Sequence, residues 1–205
     1  MSFKKRLFAW LLTKGDAVNQ RVYRSYKEKL FRNLGSVVVE IGPGAGGNLE
    51  YLFSGVKWFG IEPNETFHRA LLRRADEKGI QATLFSTKAE NIPLPDNHAD
   101  SIICTLVLCS VSSPSTVIFE MKRIVKPGGR LFFIEHVAAP QKTFLRTAQN
   151  IFNPLNRIIA DGCHCNRETW EEIQKAGFSH VELSHHRING MLKLHSPHIM
   201  GYAVK

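Results

Sequence analysis

A glycine-rich segment near the start of the chain has the spacing of a nucleotide-binding turn. Residues 40–48 read EIGPGAGGN, in which Gly42, Gly44 and Gly47 fit the pattern G-x-G-x-x-G. The same segment fits E-x-G-x-G-x-G through Glu40, Gly42, Gly44 and Gly46. In both patterns glycine lets a strand turn tightly, so that backbone N–H groups can approach a ligand. The glycines alone do not decide between a hydride-carrying dinucleotide and a methyl-carrying sulfonium.

Two acidic residues favour the sulfonium, S-adenosylmethionine. Glu40 ends the strand before the turn, where it would oppose the pyrophosphate of a dinucleotide. The same carboxylate would attract the ammonium and sulfonium groups of S-adenosylmethionine, because the sign of the Coulomb interaction is reversed. Glu62 ends the next strand and suits the ribose hydroxyls of either ligand. We therefore expect S-adenosylmethionine, with a nicotinamide-dependent oxidoreductase as the less favoured alternative.

Strands and helices alternate around this turn. Strands are predicted in SVVVEIG, VKWFGIEP, IQATLFST, ADSIICTLVLCSV and RLFFIEHV. Helices are predicted from GGNLEYLF, across NETFHRALLRRADEKG with Asn64 as cap and Gly79 as stop, across STVIFEMKRIVKPGG up to its Pro-Gly-Gly, and across NRETWEEIQKAGF with Asn166 as cap. HVELSHH and PHIMGYAVK follow as two strands without a helix between them. The pattern predicts an α/β, Rossmann-like fold with a mostly parallel seven-stranded sheet, an antiparallel C-terminal hairpin and N-terminal helices.

The positive charge is concentrated at the N-terminus. The chain has 205 residues and a net charge of +9, of which residues 1–35 contribute +7 through nine basic and two acidic side chains. We expect a single domain over residues 1–205, with a basic helical segment over 1–35 and a catalytic core over 36–205. Because the core is nearly neutral, we expect no nucleic-acid partner, which leaves an RNA methyltransferase as a remote alternative.

Residues 3–12, FKKRLFAWLL, predict a short amphipathic helix with basic residues beside an apolar side. Such a helix suits either peripheral contact with a membrane interface or packing over the mouth of the ligand site. No export signal is recognised in the sequence. We therefore expect a cytoplasmic protein that could associate with a membrane at its N-terminus.

The chain resembles two nested families through specific strings. EIGPGAGGN, GIEPN, AENIPLPD and VKPGG resemble class I S-adenosylmethionine-dependent methyltransferases over about residues 36–185. CTLVLCSV, EHVAA, DGC, RETW and PHIMGYAVK are similar to the small-molecule thiol methyltransferases of the methyltransferase-like seven subfamily. The resemblance implies methyl transfer from S-adenosylmethionine to a lipophilic small molecule, with an alkyl thiol as the leading acceptor. Methylation of a quinone or phenol, or a non-catalytic S-adenosylmethionine-binding module, stays open.

The resemblance also implies which residues contact the cofactor. The glycine turn would hold the methionine end, the end of the second strand the ribose, and two later loops the adenine and the reacting methyl group. These residues are Glu40, Gly42, Pro43, Gly44, Ala45, Gly46 and Asn48; Glu62, Pro63 and Asn64; Ala89 and Glu90; and Thr105, Leu106 and Leu108.

The candidate chemistry lies where later strands and loops end. His136 follows the fifth strand and is the candidate general base, and Asp161 in DGCHC is the second candidate catalytic residue. Cys109, Ser110 and His164 are expected at the acceptor, and the apolar segment Phe144 to Ile159 is expected to roof it. Cys163 and Cys165 are spaced too tightly for the usual C-x₂₋₄-C zinc pair, so that no metal site is expected.

Overall fold

The computed structural model describes residues 20–160, 162–190 and 192–205. One seven-stranded sheet forms from Val37–Ile41 (β1), Lys57–Ile61 (β2), Gln81–Phe85 (β3), Ala99–Thr105 (β4), Val125–His136 (β5), His180–Arg187 (β6) and Pro197–Val204 (β7). Its order is β3-β2-β1-β4-β5-β7-β6, with β1 to β5 parallel and β7 antiparallel to both of its neighbours. The predicted sheet, with its antiparallel C-terminal hairpin, is confirmed.

Helices cover both faces of this sheet. They span residues 20–30 (α1), His68–Glu77 (α2), Pro114–Ile124 (α3), Phe144–Ile159 (α4) and Thr169–Lys175 (α5), with 3₁₀ turns at Gly47–Tyr51, Glu65–Phe67 and Lys193–His195. Among the described residues, no helix combines the length and apolar character required to cross a membrane. The predicted helix over residues 3–12 lies outside the described residues.

Alternate residues of β1 enter different cores, as expected for a sheet that is covered on both sides. Val39 and Ile41 pack with α3 and α5 in one buried cluster. Val38 packs with Trp58 and α2 in a second buried cluster on the opposite face. The two cores fix the position of β1, and the carboxyl end of β1 therefore presents the glycine turn at a defined place.

Two predicted helix boundaries and one predicted helix are wrong. α3 ends at Ile124, and the following KPGG belongs to β5, because Val125 is already extended and pairs with Ala99 of β4. α5 begins at Thr169 after Glu168 rather than after Asn166. GGNLEYLF forms only a 3₁₀ turn. The predicted cap at Asn64 is confirmed, since its side chain accepts a hydrogen bond from the Thr66 amide.

A buried carboxylate at the end of β5 fixes the loop that follows β4. Glu135 is fully buried and accepts hydrogen bonds from the amides of Val107 (2.9 Å), Leu108 (3.0 Å) and Cys109 (3.2 Å). Leu106, which begins this loop, has a φ of 58°, a backbone conformation that non-glycine residues rarely adopt. Three amide donors converging on one carboxylate hold the chain in this shape.

Replacement of Glu135 tests how this carboxyl contributes to stability. Burial raises the pKa of Glu135 to about 7, although three amide donors favour the charged form. At pH values between the pKa of Glu135 in the unfolded chain and its pKa in the folded chain, the folded chain holds a proton that the unfolded chain has released. The free energy of unfolding therefore falls as the pH rises. We therefore compare the free energy of unfolding of the wild type with that of Glu135→Gln. This difference is expected to fall by on the order of 3 kcal/mol between pH 4.5 and pH 7. Denaturant unfolding at several pH values measures this, and a pH-independent difference contradicts it.

Candidate active site

A cavity of about 410 Å³ opens at the carboxyl ends of β1, β2 and β4. Ligands of open α/β sheets bind at this edge, because the loops that leave the parallel strands meet there. The glycine turn forms one part of its wall, the end of β2 another, and the loop after β4 a third. The lining residues are Tyr23, Lys27, Ile41, Gly42, Pro43, Gly44, Ala45, Gly47, Asn48, Ile61, Glu62, Pro63, Asn64, Phe67, Lys88, Ala89, Glu90, Thr105, Leu106, Val107, Ser110, Val111 and Ser112.

Glu62 connects the end of β2 to the glycine turn. One carboxylate oxygen accepts a hydrogen bond from the Gly44 amide at 3.1 Å, and the other accepts from the Asn64 amide at 2.8 Å. Gly42 has a φ of 59°, and a Cβ atom built on it would lie 2.7 Å from a methyl group of Val107. Glycine at this position therefore permits both the turn and its close approach to the loop after β4.

Glu40 lies behind the cavity wall rather than in it. Its carboxylate is buried and accepts hydrogen bonds from Asn48 Nδ2 and Trp58 Nε1, both at 2.9 Å. Burial raises the pKa of Glu40. Asn48, which does line the cavity, also donates to Thr105 Oγ1 at 3.2 Å. Glu40 thus affects the cavity indirectly, because it binds the side chain of Asn48 and holds it between β1 and β4.

The side of the cavity opposite Glu62 is formed by α1 and the loop after β4. Tyr23 lines the cavity here, and its hydroxyl hydrogen-bonds His198 Nε2 at 2.7 Å. Arg167 supports the loop from behind, where its Nη1 donates to the carbonyls of Leu108 (2.6 Å) and Val111 (3.0 Å). Leu106, Val107 and Val111 give this side of the cavity an apolar wall, and the loop that carries them is fixed from two sides.

The structure brings most of the residues predicted to bind the cofactor into one wall. Those that line the cavity are Gly42, Pro43, Gly44, Ala45, Asn48, Glu62, Pro63, Asn64, Ala89, Glu90, Thr105 and Leu106. Gly46 and Leu108 lie outside the lining, and Leu108 is fully buried in the core. Gly46 instead has a φ of 80° and packs against Leu71 and Leu49.

The predicted catalytic and acceptor residues are more scattered. Ser110 lines the cavity, whereas Cys109, His136 and His164 do not. Cys109 is buried, and the His136 ring lies beside Cys163 and His198, next to the cavity. Asp161 lies outside the described residues. Whether His136 acts as a base stays a prediction.

The apolar roof expected from Phe144 to Ile159 is not found over the cavity. These residues form α4, and none of them is among the lining residues. The apolar side of the helix instead faces outward, where Phe144 is 90% exposed. The expectation was wrong because amphipathic periodicity gives the width of an apolar face but not the surface against which it packs.

Several lining residues were missed in the sequence. Tyr23 and Lys27 belong to α1, where helical spacing predicts only an apolar face, and their position over the cavity depends on how α1 packs. Val111 and Ser112 directly follow Ser110, so extending the predicted acceptor segment by two residues would have found them. Lys88, which precedes the predicted pair Ala89 and Glu90 at the adenine edge, lines the cavity as well.

Comparisons with known proteins agree with this geometry. The family model described as a methyltransferase domain matches residues 39–133. Thiol S-methyltransferase TMT1B of Rattus norvegicus is 37% identical over 212 residues, which cover 98% of this chain and 87% of the rat protein. Thiol S-methyltransferase TMT1A of Homo sapiens is 33% identical with the same coverage.

A solved structure shares the fold at low sequence identity. A SAM-dependent methyltransferase of Thermotoga maritima, described as a possible histamine N-methyltransferase, superposes with a TM-score of 0.66 at 19% identity and covers 99% of this chain and 96% of its own. The similarity to the rat and human proteins runs through both the glycine turn and the loop after β4. The chain therefore belongs to the thiol S-methyltransferase family of S-adenosylmethionine-dependent methyltransferases.

Proposed function

We propose that this enzyme transfers the methyl group of S-adenosylmethionine to the sulfur of a small lipophilic thiol. The observation that carries the proposal is the extent of the similarity to the thiol S-methyltransferases, which spans 98% of the chain. It includes α1 and the loop after β4, the two elements that form the apolar wall of the cavity. A match restricted to the glycine turn would support cofactor binding only.

The wall of the cavity offers suitable partners for each part of the cofactor. Glu62 would accept hydrogen bonds from the ribose hydroxyls, since a carboxylate has about four acceptor positions. Pro63 and Asn64 would lie beside the ribose, and Ala89 and Glu90 at the adenine. This assignment places the adenosine half along the end of β2.

The methionine end of the cofactor would lie along the glycine turn, near Asn48 and Thr105. Lys27 also lines the cavity, although its side chain is buried, and its ammonium lies 5.8 Å from the ring centre of Tyr51. A buried ammonium at this end would attract the carboxylate of the methionine group. Glu40 would act indirectly, by fixing the orientation of the Asn48 amide.

Bound S-adenosylmethionine supplies an electrophilic methyl carbon on a sulfonium. The acceptor sulfur would bond to this carbon as the carbon–sulfonium bond breaks, and the thiol proton would be released. Because a free thiol has a pKa of about 8.5, only a modest local shift is required to form the thiolate. The task of Leu106, Val107 and Ser110 is then to hold the acceptor in line and to exclude water.

A panel of acceptors tests the proposed function. Labelled S-adenosylmethionine is incubated with the full chain and an alkyl thiol, a phenol or a hydroquinone. We expect saturable transfer to the thiol only. Saturable transfer to the phenol or hydroquinone instead would assign methylation of a quinone or phenol. Cofactor binding without transfer to any of the three would contradict the proposal and favour a non-catalytic binding module.

We further propose a cytoplasmic enzyme that contacts a membrane surface peripherally through residues 3–12. The outward apolar side of α4 supports the same kind of contact, because Ile151, Phe152 and Ile158 are 67%, 49% and 62% exposed. α4 has no acidic residue and carries Arg157, while its other arginine, Arg146, is paired with Glu168 at 3.1 Å. With the basic N-terminal segment, this charge suits anionic lipid headgroups rather than a nucleic acid.

Flotation with vesicles of phosphatidylcholine and phosphatidylserine tests the membrane contact. We expect the full chain to bind these vesicles and Ile151→Glu to bind several-fold less, because the new charge would enter the apolar interface. Leu72→Glu on α2 is the matched control, since Leu72 is 44% exposed on a different helix, and it is expected to bind like the wild type. No binding of the full chain would contradict the proposed membrane contact, and equal binding of all three proteins would contradict the part assigned to α4.

A further inference from the structure

Beside the cavity, three buried or half-buried side chains bring soft metal ligands together. Cys109, His136 and Cys163 each offer one ligand atom, and these three atoms lie within 4.8 Å of one another. Cys163 Sγ lies 3.7 Å from His136 Nδ1, and Cys109 Sγ lies within 4.8 Å of Cys163 Sγ. The two cysteines are 1% and 5% exposed, so the cluster is shielded from solvent.

His195 provides a fourth candidate ligand. It ends the 3₁₀ turn Lys193–His195 beside the cluster, and its ring centre lies 5.1 Å from that of His136, although it is not one of the three residues whose ligand atoms lie within 4.8 Å of one another. Two sulfur and two imidazole donors are the ligand set of a closed tetrahedral zinc site. Zinc–ligand bonds of about 2.3 Å to sulfur and 2.0–2.1 Å to nitrogen place a sulfur and a nitrogen about 3.6 Å apart, close to the 3.7 Å found here.

Backbone hydrogen bonds hold two of these ligands in place and join their segments to one another. Cys109 lies in the loop that Glu135 fixes, and its carbonyl accepts a hydrogen bond from the His164 amide at 2.8 Å. The Cys163 carbonyl accepts from Asn156 Nδ2 at 2.6 Å. The ligands are therefore largely pre-organised, which lowers the entropic cost of binding an ion.

We propose that Cys109, Cys163 and His136 bind one Zn²⁺ ion, with the adjacent His195 as the fourth ligand once its side chain turns toward the ion. Binding releases the two thiol protons, so that two thiolates balance the two positive charges and the buried site is neutral overall. Thiolate and imidazole donors favour zinc over magnesium or calcium, which prefer oxygen ligands. In this site His136 is a ligand rather than a base.

The proposed ion would connect the wall of the cavity to the C-terminal part of the sheet. Cys109 Sγ lies 3.5 Å from Ser110 Oγ, and Ser110 lines the cavity. His136 ends β5, Cys163 follows α4, and His195 precedes β7. One ion would therefore fix the loop after β4 to three other segments. This role is structural and does not depend on which acceptor is methylated.

The two cysteines of CHC, Cys163 and Cys165, lie in different surroundings. Their spacing in the sequence therefore could not predict the site. Cys165 Sγ lies 3.9 Å from both the Gln149 carbonyl and Asn153 Oδ1, and it is not part of the cluster. The proposed ligands are instead far apart in sequence, and only the fold brings them together. Cys165 is therefore a matched control for Cys163.

Zinc content of the purified full chain, without an affinity tag, tests the proposal. We expect about one zinc ion per chain in the wild type and in Cys165→Ser after removal of loosely bound metal. We expect Cys163→Ser to retain little zinc, with affinity lowered by more than the tenfold to hundredfold that loss of an outer-shell partner costs. Circular dichroism of both variants checks that they are folded.

Cobalt substitution tests the site in the wild type, so the result does not depend on whether a variant folds. We expect the visible bands of tetrahedral Co²⁺ and a thiolate charge-transfer band, both abolished by added Zn²⁺. The proposal is overturned if the wild type binds neither ion. It is also overturned if the Cys163→Ser variant is folded and retains as much zinc as the wild type. A Cys109–Cys163 disulfide in freshly purified protein, seen by intact mass, also overturns it.

Discussion

Three buried carboxylates at the carboxyl ends of parallel strands organise the loops of this enzyme. Burying a carboxylate is costly unless hydrogen bonds compensate it, and each of the three is satisfied by donors from a neighbouring segment. Glu40 binds the side chains of Asn48 and Trp58, Glu62 binds the amides of Gly44 and Asn64, and Glu135 binds three amides of the loop after β4. The glycine turn, the end of β2 and the loop after β4, which form three parts of the cavity wall, are each held by one of these carboxylates.

In the proposed function, cofactor and acceptor would occupy two parts of one cavity. Glu62 and the glycine turn form the side that suits adenosine, whereas α1 and the loop held by Glu135 form the apolar side. Arg167 holds the same loop from outside, and the proposed zinc site would hold it from the C-terminal side. Such multiple attachment is expected where a methyl acceptor must be kept in line, since small displacements reduce the rate strongly.

Much of the fold and of the cofactor side could be predicted, because the relevant signals are local. Strand–helix alternation gave the sheet, and the positions of Gly42, Gly44 and Glu62 gave the side of the cavity that suits adenosine. The acceptor side depends on packing between distant segments, which periodicity does not encode: Tyr23 of α1 lies over the cavity, while the apolar face of α4 points away from it. The cluster of Cys109, His136 and Cys163 was not predicted for the same reason.

The cofactor affinity of Glu62→Gln tests the central claim most directly, namely that a carboxylate at the end of β2 builds the adenosine site. Calorimetric titration with S-adenosylmethionine compares the wild type, this variant and the control Glu65→Gln, which changes an exposed acid outside the cavity wall. The account predicts an affinity about tenfold to a hundredfold lower for Glu62→Gln, since hydrogen bonds to a charged group contribute about 1.5–3 kcal/mol each. The control should bind like the wild type. Unchanged affinity in Glu62→Gln would contradict the account.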